Sequence, residues 1–223
     1  MSLTNKHKQM ANLKSLAKDT AIYGLSSIVG RFLNYLLVPL YTAKLSAASG
    51  GYGVITNVYA YTALLMVILT YGMETTFFRF ANKEEENPQT VYTTTLISVG
   101  FTSLMFIALV LLFINPISVF MGYADHQSYI WVMAITVAID AFQCIPFAYL
   151  RYKKRPIKFA ALKLLNIFMA ITLNIVFFLI LPNIYEANGG TGFISAIYDP
   201  TVGAGYAFYV NLFCSAILTF FFW

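Results

Sequence analysis

Four ionisable side chains stand inside long apolar runs: Arg31, Glu74, Asp140 and Lys163. A charge within a bilayer costs roughly 2.5–3.5 kcal/mol on insertion scales and normally faces a bundle interior or a water-filled cavity. At the rise of an α-helix, Arg31 and Asp140 lie roughly 16 and 15 Å from the basic ends of their runs. Both are too deep to reach the headgroups. They form either an interhelical ion pair or a ligand- or proton-binding site. Glu74, at roughly 9 Å, and Lys163, at roughly 6 Å, allow a second, shallower pairing. For Lys163 the plainer expectation is a side chain that snorkels to the headgroups.

Uncharged polar residues recur around these four at helical spacing. The first run carries Thr20, Gly24, Ser27, Arg31 and Asn34, and the fourth Thr136, Asp140, Gln143 and Phe147. The third carries Thr95, Ser98 and Thr102, the fifth Lys163, Asn166, Ala170 and Asn174, and the sixth Asn211, Ser215 and Thr219. Steps of three and four place each set on one helix face. Such faces serve either as small, polar helix–helix contacts or as the lining of a hydrated central cavity. The cavity reading names Ser27, Arg31, Asn34, Glu74, Asp140, Gln143, Asn166 and Asn174 as candidate binding residues.

No catalytic or metal-binding constellation accompanies them. The chain has no His-Glu-x-x-His, no nucleophile elbow, no glycine-rich phosphate loop between strand and helix, and no paired cysteines. Cys144 and Cys214 lie inside apolar runs as small hydrophobes, and no cofactor is implied.

Composition says what must position these residues. Of 223 residues, 59% are hydrophobic and 10% charged, against about a quarter charged in a soluble domain. A soluble enzyme and a nucleic-acid-binding domain are excluded. The apolar content suffices for about six helices of about 20 residues each. The spans read as about 20–44, 54–80, 91–114, 129–150, 159–181 and 202–223, after a basic amphipathic segment at 1–19. The fold class is thus an all-α membrane protein, a bundle of six transmembrane helices. Residues 46–48 read as a small-residue turn.

The net charge of +5 is topological. The N-terminal segment and the second and fourth connections hold eleven Lys and Arg, whereas the first, third and fifth hold none. The positive-inside rule puts the N-terminus in the cytoplasm. The sixth span runs to Phe220-Phe221-Phe222-Trp223 without a basic or polar flank, so the sequence predicts continuation into a longer protein.

The stretch from Thr20 to Thr42, with Gly24, Arg31, Asn34 and Pro39, resembles the first helix of polysaccharide flippases of the multidrug/oligosaccharidyl-lipid/polysaccharide (MOP) exporter superfamily. Tyr52-Gly53 opening the second helix, Thr70-Tyr71-Gly72-Met73-Glu74 through Phe80 closing it, and Arg151-Tyr152-Lys153-Lys154-Arg155-Pro156 after the fourth span are similar to the same family. The resemblance implies the N-terminal lobe of a two-lobe, MATE-like transporter in the bacterial cytoplasmic membrane. It implies undecaprenyl-pyrophosphate-linked oligosaccharide as substrate, flipped by alternating access, and Na⁺ or H⁺ as a coupling ion in some relatives. It further implies that Arg31 faces the substrate phosphates, with Arg79, Lys163, Arg151 and Lys154 at the cytoplasmic mouth. Two alternatives stand beside it: a cation-coupled multidrug exporter using Asp140 and Glu74, and a non-transporting assembly scaffold.

Overall fold

A computed structural model describes residues 17–18, 20–29, 32–33, 35–45 and 51–222. Arg31, Asn34, the turn at 46–48 and nearly all of the segment 1–19 lie outside them. The described chain is helical, with no strand among these residues. The helices are α1 (Thr20–Val29), α2 (Leu37–Lys44), α3 (Gly51–Thr70), α4 (Met73–Ala81), α5 (Pro88–Leu112), α6 (Ile114–Phe120), α7 (Gln127–Tyr152), α8 (Pro156–Ile175), α9 (Leu181–Ala187), α10 (Ile194–Ile197) and α11 (Gly205–Phe220).

Four continuous or nearly continuous stretches among the described residues are long and apolar enough to cross a membrane: Gly51–Ala81, Pro88–Leu112, Ala124–Tyr152 and Pro156–Ala187. Thr20–Val29 and Gly205–Phe220 are apolar but shorter. Val67, Phe101 and Phe168 are each about 70% exposed, an apolar outer surface suited to hydrocarbon rather than water.

Local chemistry sets the helix boundaries. Pro88 and Pro156 open α5 and α8, where a missing N–H breaks no bond and the fixed φ suits the first turn. The Asn87 side chain accepts from the Gln89 N–H at 2.9 Å, capping α5. The run expected to be one helix over 54–80 is broken: Gly72 has φ 74°, in the left-handed region that glycine enters freely. Glu74 therefore sits in the first turn of a separate helix, α4, where a carboxylate complements the helix dipole.

The fifth run is longer than expected. It was expected to end near 181, with a loop from Pro182. Instead the chain passes through a π-turn, Val176–Ile180, and continues as α9 to Ala187. Pro182 cannot donate to the carbonyl four residues earlier. The wider turn, closed by the Leu181 N–H on the Val176 carbonyl, shifts the register so that the helix carries on.

The central helix is α7, which packs against α3, α4, α5, α8 and α11. Val132, Val137, Ala141, Ile145 and Ala148 are buried along it. Aromatic clusters mark both of its ends. Tyr129 meets Tyr123, His126 and Phe208, and Tyr149 meets Tyr92, Phe77 and Tyr152. Twenty residues separate Tyr129 from Tyr149, about 30 Å of helix, which matches a hydrocarbon core with aromatic belts at its two interfaces.

Candidate functional site

At the basic end, α4, α7 and α8 bring three of the sequence-predicted residues together. The Arg151 Nη2 donates to the Glu74 Oε1 at 2.5 Å. Arg151 also lies over the Phe78 and Phe159 rings, which fix the orientation of its guanidinium. Lys163 does not run free to the surface as expected of a snorkelling side chain. Its ammonium rests over the Phe147 ring, 4.1 Å from the centroid, a cation–π arrangement. The shallow pair is thus Glu74 with Arg151. Arg79 and Lys154 are exposed at the same end.

Deeper, α7 faces α11. The Ser215 Oγ donates to the Asp140 Oδ1 at 2.6 Å. Gln143, 3% exposed, donates through Nε2 to the Ser215 carbonyl at 2.7 Å and to the Thr219 Oγ1 at 2.9 Å. The stripes of the fourth and sixth runs therefore face each other. Asn166, half-buried on α8, keeps a buried Oδ1 that has no hydrogen bond among the described residues.

Beyond Asp140 the interior polarity becomes neutral. The Tyr59 hydroxyl accepts from the Asn211 Nδ2 at 2.5 Å. Asn174, 2% exposed, accepts from the Tyr41 hydroxyl at 2.8 Å and donates to the Ala170 carbonyl at 2.8 Å. These residues, with Tyr35 and Tyr52, line a cavity of about 380 Å³ between α2, α3, α8 and α11.

The first run departs from expectation. In α1, Tyr23 packs edge-on against Phe159 at 5.1 Å and Ser26 is 5% exposed. Thr20, Gly24 and Ser27 are exposed, so Ser27 points away from the described bundle. The polar stripe of this helix is one position out of phase with the face that packs. Sequence reading also passed over Tyr41, Tyr52 and Tyr59. Tyr52, Ile55 and Tyr59 are spaced by three and four residues, which places them on one face of α3, but tyrosine alone reads as interface anchoring.

Residues 48–186, more than half of the chain, match a protein family described as polysaccharide biosynthesis protein. The match runs from the start of α3 nearly to the end of α9 and contains Glu74, Asp140, Gln143, Arg151, Lys163, Asn166 and Asn174. No curated protein and no solved structure matches the chain.

Proposed function

Since the chain belongs to the polysaccharide biosynthesis protein family, we propose that it is the N-terminal, six-helix lobe of a two-lobe transporter that flips lipid-linked oligosaccharide across the bacterial cytoplasmic membrane. The N-terminus lies inside, and α1 with α2, and α11, supply the first and sixth crossings beside the four long ones. The carrying observation is the polar track within the family-matched segment. It comprises the Glu74–Arg151 pair, Lys163 over the Phe147 ring and Asp140 bonded by Ser215, inside helices whose outer faces are apolar.

Such a track suits a polyprenyl pyrophosphate glycan. Arg79 and Lys154 attract the pyrophosphate to the mouth. Arg151, whose guanidinium is matched to phosphate geometry, exchanges Glu74 for the anion as the substrate enters. Lys163 and Arg31 then follow the charge inward. Alternating access between two lobes moves the site from one side to the other. Asp140, hydrogen-bonded by Ser215, is the group that H⁺ or Na⁺ coupling would use. No step requires covalent catalysis, and the protein acts as a transporter rather than an enzyme.

The test is surface polysaccharide in cells whose only copy carries Lys163→Met or Arg31→Ala. Polysaccharide should fall at least about tenfold, the effect of removing one charge-assisted bond of about 1.5–3 kcal/mol, with membrane expression unchanged. Normal polysaccharide in both variants overturns the reading. Loss of drug efflux in Asp140→Asn with polysaccharide intact would instead favour the multidrug exporter.

A further inference from the structure

The cavity between α2, α3, α8 and α11 has a chemistry different from the charged track. Three of its walls are the rings of Tyr41, Tyr52 and Tyr59, and its polar corners are Asn174 and Asn211. Among the described residues, none that lines it is charged. Its volume of about 380 Å³ falls within the range of small-molecule sites.

The walls are held rigid. Tyr41 stacks on Tyr52 with centroids 6.0 Å apart, and Phe178 packs edge-on against Tyr41 at 5.2 Å. Phe208 meets Tyr59 edge-on at 6.0 Å. Phe178 belongs to the π-turn Val176–Ile180, a feature frequent at functional sites. Here it sets the ring that backs Tyr41 just past Asn174.

Hydrogen-bonding capacity is left over inside. The Asn211 Nδ2 is bonded to Tyr59, while its Oδ1 and the Tyr52 hydroxyl have no hydrogen bond among the described residues. Each amide carries two donors and an acceptor with two lone pairs, so Asn174 and Asn211 can serve a ligand as well as the wall. Neutral amides and phenols beside flat aromatic faces match a pyranose ring. Its hydroxyls donate and accept in many directions, and its C–H face lies against an aromatic π-surface. Among the described lining residues no cation offers a pyrophosphate a partner.

We propose that this tyrosine–asparagine cavity is a subsite for an uncharged sugar residue, separate from the groups that handle the pyrophosphate. The proposal deepens the transport reading and rests on it. The two anionic phosphates then stay with Arg151 and Lys163 while the neutral glycan occupies the opposite half of the lobe.

Saturation-transfer NMR on the full-length protein in lipid nanodiscs tests the subsite, with methyl glycosides of glucose, galactose and N-acetylglucosamine as probes and inorganic pyrophosphate as competitor. At least one glycoside should receive saturation at its ring protons, undiminished by equimolar pyrophosphate. Asn211→Leu should weaken that signal about 2- to 10-fold, the effect of one lost hydrogen bond. Tyr52→Leu should weaken it similarly, whereas Tyr52→Phe, which keeps the stacking face, should retain most of it. Tyr52 is only half-buried, so its variants keep the fold intact.

No transfer to any glycoside, equal transfer in native protein and Asn211→Leu, or displacement by pyrophosphate overturns the subsite. The polysaccharide assay with Lys163→Met separates the two readings. Lost polysaccharide without sugar transfer overturns the subsite alone. Sugar transfer with normal polysaccharide in both Lys163→Met and Arg31→Ala supports the subsite and overturns the transport reading.

Discussion

The end of the bundle near Arg151 and the half beyond Asp140 both hold polar side chains among apolar helices, but they do so with different chemistry. Near Arg151 the groups are charged, and they stay partly open: the Arg151 and Glu74 side chains are 33% and 41% exposed. Beyond Asp140 they are neutral and enclosed, with Asn174 at 2% exposure. The contrast follows from desolvation. A buried ion pair recovers its hydration only with excellent geometry, so charge is kept where water still reaches it. A neutral amide needs only hydrogen bonds to be satisfied, and Asn174 has them from Tyr41 and to Ala170. Stability should therefore depend far more on single neutral groups in the enclosed half than on the ion pair at the open end.

The junction between the halves offers the largest break. Gln143→Ala removes both bonds to α11 and leaves a void in a fully packed position, so unfolding in detergent should show a loss of about 3 kcal/mol. A loss comparable to that of a surface substitution would mean that α7 and α11 are held by apolar packing alone. Next comes Tyr41→Phe in the enclosed half. It strands the Asn174 Oδ1, and the same measurement should give a loss of about 1–2 kcal/mol. The smallest effect belongs to Glu74→Gln. Both partners are substantially exposed, and an exposed pair contributes about 0–1 kcal/mol. If Glu74→Gln destabilises more than Tyr41→Phe, the comparison between the halves fails.

The sequence made much of this legible, and unevenly. That Asp140 shares a face with Gln143, and Ser215 with Thr219, was legible because a helix preserves the phase between residues three and four apart; that the two faces meet was not. For Glu74 the sequence allows a shallow pairing with Lys163, whereas the structure pairs it with Arg151. Its depth was counted along a continuous helix, and the break at Tyr71-Gly72 re-aims the carboxylate toward Arg151. Pro182 was read as a stop, yet a π-turn absorbs it. Ser27 shares a face with Thr20 and Gly24 as expected, but spacing names a face without saying which way it turns. The tyrosine cavity had no advance signal, because its walls come from α2, α3, α8 and α11 and no single stretch shows the pattern.

By composition and periodicity alone the sequence determined that this is a helical membrane protein with basic connections on one side and polar stripes within. Those are properties of transfer energy and of the 3.6-residue turn, and they need no knowledge of neighbours. Only the tertiary structure decided which stripes face each other, that Lys163 sits over Phe147, and that Arg151 is Glu74's partner. It also decided that four helices line a half-open cavity whose described walls are neutral. Partners are set by the rotation of each helix about its axis and by local breaks in its ladder, and both depend on how all the helices pack at once.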